Sequence, residues 1–453
     1  MREHFVLIGA GSAMFTRGLV SDLISTGAEC DLSLVDIDPI ALEAANNLVR
    51  KMINASGAKI SLKADLDRRK VLKGASVVIT TIGVGGRRAW EQDVFIPRKY
   101  GIYMPVGDTV GPGGTSRALR MIPDMVDIAR DVIDMAPDAL FFNYANPMSA
   151  VCRGVAKATG APMVGLCHGV IDTARWLAKL LETPLASLSY NAVGINHMTW
   201  FTELRVNGVD AMPRMHKIAA SVLEKLAEAQ AAHKAGAPMP NNGSPFDSSM
   251  KFPFSWQCLE WFGAFPAPMD RHVCEFFPQF FRDGAYYGKT LGVDEYSFEG
   301  TIAHGDEIYA QMQADAAGPK PLSADYFKRA GGEHEQVIEI IQSIRGNTAR
   351  LYSANLPNRG QVPNLPPEAV VEAPAVSDAR GLHAVTVPPL SSALAGTLAT
   401  RFQWVETVVE AALERSRDKF IQALILDGAA QSPDAAVAMA DDLLAAQAQY
   451  LKW

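Results

Sequence analysis

Cysteine is scarce in this chain and irregularly placed: Cys30, Cys152, Cys167, Cys258 and Cys274 are five among 453 residues. An odd, scattered set in a long chain excludes a disulfide framework and suits a reducing compartment. No stretch approaches the roughly 20 consecutive apolar residues of a membrane-spanning helix. Runs of like charge are absent as well. Lys plus Arg at 42 against Asp plus Glu at 49 gives a net charge of −7, and no clustered basic surface of the kind nucleic acid requires is in sight. Export signals are missing too: Arg2 precedes the apolar stretch Phe5 to Phe15, but that stretch reads as a strand and a glycine turn of a folded domain. The expectation is a cytoplasmic location with no nucleic acid and no membrane as partner.

What the chain does have is alternation. Up to about Glu203, short apolar runs at Phe5–Ile8, Asp31–Val35, Ala75–Thr81, Ala139–Asn143 and Met163–Leu166 are separated by helical patterns at Pro39–Met52, Ser116–Met135, Met148–Thr159 and Asp172–Leu181. Strands alternating with helices long enough to cross between parallel neighbours predict an α/β, Rossmann-like, doubly wound parallel sheet over residues 1–203. After Tyr190 the character changes. NAVGINHMTWFTELRV reads as one extended strand turning at Asn207-Gly208, and helices follow at about Pro213–Lys234, Ser391–Leu426 (broken) and Pro433–Leu451. Residues 204–453 are therefore expected to form a closely packed α+β domain, with AGAPMPNNGSP as a loop.

Gly9-Ala10-Gly11 follows the first strand and precedes a helix, which lets backbone amides approach a pyrophosphate. Met14 stands at the third glycine position of the usual pattern, so the motif is incomplete, and a tight turn without ligand is the competing reading. Asp36, which ends the second strand 25 positions after Gly11, is placed to hydrogen-bond ribose hydroxyls and to repel a 2′-phosphate. This favours NAD over NADP. Asp38, before Pro39, is the alternative acidic residue and is equally suited to capping a helix. Ser12, Thr81 and Gly83, at the ends of the first and third apolar runs, complete the expected cofactor-facing set.

Three further motifs end successive strands: Asn143-Tyr-Ala-Asn146-Pro-Met, Cys167-His168-Gly169 and Gly194-Ile-Asn196-His197-Met. All belong at one sheet edge. A thiolate and an imidazole from separate strand ends could hold a divalent cation, although a buried structural Cys and a satisfied core His fit the residues alone equally well.

The set GAGS, DIDP, DTVGPGG (108–114), NYANPM, GLCHG and GINHM, followed by NRGQVPNLPPEAVVEAPAV and VPPLSSALAGT, resembles glycoside hydrolase family 4 over almost the whole chain, and its α-galactosidase branch above all. The resemblance implies a lactate/malate dehydrogenase-like architecture, NAD and a divalent metal, usually Mn²⁺, as cofactors, and a homodimer or homotetramer. It implies that Cys167 and His197 bind the metal and that Asn146 and Asp108 contact the sugar. It further implies that His168 helps protonate the leaving oxygen, and that a base from GAFPAPMDRHVCEF, with Asp270 the candidate, removes the C2 proton. The implied reaction oxidises C3 of the glycone, eliminates the C1 substituent, adds water and re-reduces C3, so that no net redox occurs. Where α-galactosidases of the family read Cys-His-Ser, this chain reads Cys-His-Gly169, as glucosidase- and glucuronidase-like members do, so α-galactoside is the first expectation with α-glucoside and α-uronide beside it. For an anionic sugar, Arg87, Arg88 and Arg271 are the available cations. A 2-hydroxy-acid dehydrogenase, with Arg117 or Arg120 binding the acid, is the rival, and a non-enzymatic NAD-binding protein stands behind it.

Overall fold

The computed structural model describes residues 2–13, 15–236, 252–268, 270–281, 298–323, 326–327 and 336–453. Its centre is a 13-stranded sheet. Six parallel strands form one side: β1 (Glu3–Ile8), β2 (Cys30–Val35), β3 (Ile60–Asp65), β4 (Val77–Thr80), β5 (Leu140–Asn143) and β6 (Met163–Gly165), lying in the order β6-β5-β4-β1-β2-β3. This is the doubly wound arrangement expected. Val6, Leu7, Leu34, Val77 and Val78 are all buried, because strands covered on both faces carry continuous apolar runs. Of these six, the strand absent from the sequence reading is β3. It is an edge strand whose Ser61, Lys63 and Ala64 are exposed, so no apolar run marks it.

The sheet does not stop where the parallel strands end. Beyond β6 it continues through β11 (Leu351–Pro357) and β12 (Val370–Asp378) to the antiparallel β7 (Leu188–Ile195), β8 (Met198–Val206) and β10 (Phe265–Ala267). The short strands β9 (Val209–Asp210) and β13 (Gly381–Ala384) pair with β8 and β12. The long extended segment expected after Tyr190 is thus two strands. Their connection is the Asn196-His197 corner, with His197 at φ +67°, and the turn at Asn207-Gly208 follows β8 as a second reversal.

The helices obey local chemistry. Asp38 caps the helix Pro39–Ser56 by accepting from the Ile40 and Ala41 amides, Pro39 supplies a preset φ at its first turn, and Gly57 ends it in the left-handed region. The expected break in the late helix falls between Ser392–Glu414 and Arg417–Asp427, where Arg415 adopts φ +55°. Part of the loop expected at AGAPMPNNGSP, and Met14, lie outside the described residues. Among those described, no helix is long and apolar enough to cross a membrane.

Candidate active site

The first glycine turn is built by close approach. Gly9, at φ +91°, and Ala10 both donate to Val35 O at 2.9 Å, and a Cβ on Gly9 would stand 2.8 Å from the Ile82 nitrogen. Gly11 donates to Asp36 Oδ2 at 2.8 Å, and its own Cβ would lie 2.6 Å from Ala41 Cβ. Only glycine fits either place. Asp36 thereby ties the glycine turn to the end of β2, while Asp38 is occupied as a helix cap. Thr81 Oγ1 donates to Gly9 O at 3.0 Å and Ser12 Oγ accepts from the Phe15 amide at 3.4 Å. Gly83 lies beside Arg117, whose Nη2 would be 3.6 Å from a Cβ there.

Arg117 carries the path onward, since its Nε donates to Asn146 O at 3.1 Å. Asn146 Nδ2 in turn donates to Asp108 Oδ2 at 2.9 Å. Around Asp108 the chain gathers three donor side chains from distant segments: suitable ligand atoms of Asp108, His197 and His272 all lie within 4.8 Å of one another. The rings of His197 and His272 have centroids 4.0 Å apart, and Thr109 Oγ1 lies 2.7 Å from both Asp108 Oδ1 and His197 Nδ1. Nothing in the described residues hydrogen-bonds His272 Nδ1, although that atom is buried.

Electrostatics divide the labour. Burial alone would raise the Asp108 carboxyl, but the facing His197, His272 and Arg117 outweigh it and hold the group at about 2. Burial drives His197 down to about 4 against the pull of Asp108, and takes His272 well below its usual value, with His197 adding to the effect. At neutral pH the cluster is one carboxylate and two uncharged imidazoles, a donor set made for a divalent cation. Around it stand two buried carboxyls that shape its loops. Glu275 accepts from the Val106 and Gly107 amides, both at 2.8 Å, and burial pushes it up to about 8. Glu372 accepts from Asn196 Nδ2 and Thr199 Oγ1, bracing the corner that carries His197.

The structure treats the expected residues unequally. His197, Asp108 and Asn146 are brought together. Cys167, part-exposed, accepts from the Gly169 amide at 3.4 Å and is not one of the three grouped ligands. His168 opens the helix Gly169–Leu180; its ring is 41% exposed and faces Asp172 at 4.0 Å. A Cβ on Gly169 would lie 3.2 Å from Pro268, so the Cys-His-Gly turn packs on the segment leading to His272. Arg87 and Arg88 are both engaged by Asp306, and Arg271 donates to Thr301. Arg120 is locked to buried Asp93. Sequence reading passed over His272 although it stood two residues from Asp270 in a quoted segment. Its only signal is the imidazole itself.

Asp270, the candidate base, lies at a helix start. It is fully buried, accepts from the Phe254 amide with Oδ2 at 2.8 Å and from the Ser255 amide and hydroxyl with Oδ1, both at 2.7 Å, and so closes the start of the helix Pro253–Phe262. Three donors hold the carboxylate at this helix start. Asp270→Asn should cost about 1–2 kcal/mol of stability, as caps and charged hydrogen bonds do, with kcat/KM changed by no more than about threefold. Denaturant midpoints and steady-state rates check this; a loss of several orders in kcat with stability intact would restore Asp270 as the base.

Family models agree with the geometry. Residues 4–183 match Family 4 glycosyl hydrolase and residues 192–429 match the Family 4 glycosyl hydrolase C-terminal domain. The chain is 30% identical to an alpha-glucosidase of Erwinia rhapontici, with all of both chains covered. It is 29% identical to an alpha-galactosidase of Bacillus subtilis over 99% of each, and 30% identical to an alpha-galacturonidase of the same organism over 93% of this chain and 92% of that one. A 6-phospho-alpha-glucosidase from gut microorganisms, crystallised with NAD and Mn²⁺, superimposes with a TM-score of 0.83 over 100% of this chain and 99% of that one; at 18% identity the likeness speaks for the fold. By sequence models that together span nearly its full length, the chain belongs to family 4 of the glycosyl hydrolases.

Proposed function

We propose that the chain hydrolyses a non-phosphorylated α-glycoside with NAD and a divalent cation, preferably Mn²⁺, as cofactors, and that α-galactosides are the first substrates to try. The convergence of Asp108, His197 and His272 beside Asn146 carries this reading. A carboxylate with neutral imidazoles is an oxygen- and nitrogen-donor set, harder than a thiolate alone and suited to manganese. Among the described residues nothing pairs with the buried Nδ1 of His272, which fits the same role. Cys167, on a turn packed against Pro268, is a further candidate ligand.

Bound here, NAD⁺ would supply a hydride acceptor that is later regenerated, and the cation Lewis acidity at sugar hydroxyl oxygens. The residues supply the rest. Gly9 and Gly11 carry no side chain, so a pyrophosphate can come close to the turn and to the start of the helix Phe15–Ser25, and Asp36 stands at the ribose position. Asn146 and Asp108 orient the sugar. His168, with a part-exposed ring near Asp172, can exchange protons with solvent and deliver one to the leaving oxygen. A cytoplasmic homo-oligomer remains the expected form of the enzyme.

The test is release of nitrophenol from α-galactoside, α-glucoside and α-galacturonide by reduced protein, with NAD⁺ or Mn²⁺ omitted in turn. Release that needs both additions, without NADH building up, is expected. Steady, stoichiometric NADH with no nitrophenol would instead mark a dehydrogenase.

A further inference from the structure

We propose that Thr109 is a positioning residue that fixes His197 as its Nδ1–H tautomer and so leaves Nε2 as the nitrogen able to bind a divalent cation. The proposal rests on the metal-dependent reading above. Its basis is a count of protons. Thr109 Oγ1 is 2.7 Å from Asp108 Oδ1 and 2.7 Å from His197 Nδ1. A hydroxyl has one hydrogen, and a carboxylate can only accept. The hydroxyl must therefore donate to Asp108, because two lone pairs at that separation would repel. Towards His197 it can then only accept, and the imidazole nitrogen facing it must carry the proton. A neutral ring with its proton on Nδ1 holds its lone pair on Nε2.

The relay is held rigidly. Thr109 is 5% exposed and His197 6%, so no bulk water competes for either bond. Gly113 and Gly114 let the start of the helix Gly111–Met135 press onto the loop: their Cβ atoms would stand 2.5 Å from Gly107 O and 2.4 Å from the Thr109 carbonyl carbon. Glu275 grips the Val106 and Gly107 amides from the other side. Thr109 thus does for His197 what carboxylates and carbonyls commonly do behind metal-bound histidines, and loss of such a partner costs roughly 10- to 100-fold in metal affinity.

Thr109→Val keeps the shape and removes the hydroxyl; Thr109→Ser keeps the hydroxyl. Mn²⁺ binding to substrate-free protein, read from the electron paramagnetic resonance of the free ion, is expected to weaken roughly 10- to 100-fold in T109V and by no more than about threefold in T109S. The tautomer is read separately, on metal-free protein labelled with ¹⁵N-histidine, the His197 signals being assigned by their loss in H197N. Wild type should show Nδ1–H, and T109V should shift toward Nε2–H. T109V binding Mn²⁺ as tightly as wild type, or an Nε2–H signal in wild type, overturns the proposal. Wild type that binds no Mn²⁺ yet shows Nδ1–H and switches in T109V would sink the metal reading while upholding the relay. The wild-type spectrum decides even if T109V does not fold.

Discussion

His197→Ala is expected to lower kcat/KM by about 10³-fold or more, and to weaken Mn²⁺ binding by at least as much as any other single change in the site. A bound cation supplies several kcal/mol of transition-state stabilisation, and each 1.4 kcal/mol is a decade in rate. His197 sits at the meeting point of the cluster. Its ring touches Thr109 on one side and meets the tilted ring of His272 on the other, and its backbone adopts φ +67° at the corner of the β7–β8 hairpin. His272→Ala and Cys167→Ser measure the rest of the ligand set. If the three grouped side chains hold the ion, His272→Ala weakens Mn²⁺ binding strongly, and the size of the Cys167→Ser effect reports whether sulfur joins them. Titration of Mn²⁺ alongside steady-state rates, with NAD⁺ affinity as a check on the fold, gives the answer. An H197A protein that binds Mn²⁺ normally would remove the cluster from the mechanism.

Gly194→Ala should be the most damaging conservative change outside the ligands. A Cβ on Gly194 would lie 2.1 Å from Met198 O and 2.9 Å from Thr199 Cα, both backbone atoms of the facing strand. Gly194 pairs with Thr199 of β8 on one side and with Glu372 of β12 on the other, so the methyl cannot be relieved by a side-chain rotation. The strands must part where they carry His197. A cost of about 3 kcal/mol, at the upper end for overpacking, is expected in denaturant midpoints, together with weakened Mn²⁺ binding. Gly208→Ala is the comparison: Gly208 has φ +79° and no atom within 4 Å of its Cβ position, so it should lose only about 1–2 kcal/mol of conformational strain and keep the site. Equal losses in the two variants would refute the packing argument.

The parts of this molecule legible in sequence are those whose physics is local. Gly9, Gly11 and Asp36 sit within one strand-turn-helix-strand unit, and the apolar runs of β1, β2, β4, β5 and β6 announce themselves because both faces are buried. The Asn196-His197 corner was hidden because neither residue punctuates an otherwise apolar stretch, and His197 reaches its positive φ with support from Glu372, 175 residues away. His272 met the same obstacle. Its partners Asp108 and His197 are distant in sequence, and only the folded sheet brings them within 4.8 Å. Asp270 shows the opposite case: a carboxylate legible in its segment as the candidate base is buried in the fold and held by three donors at a helix start, partners that the sequence does not announce.

The order of strands has a consequence for how the chain comes off the ribosome. β6, the last parallel strand, finds its outer neighbour in β11, where Gly165 pairs with Asn355, and among the described residues the β7–β8 hairpin joins the parallel side of the sheet through β12, where Gly194 pairs with Glu372. Until nearly four-fifths of the polypeptide has been made, the nascent cofactor half therefore carries a bare strand edge and a detached apolar hairpin. Open edges recruit other chains, and long-range pairings form late. Slow synthesis or truncation between β8 and β11 should for this reason yield aggregates, not a stable half-enzyme, and chaperone dependence should concentrate in that window of translation.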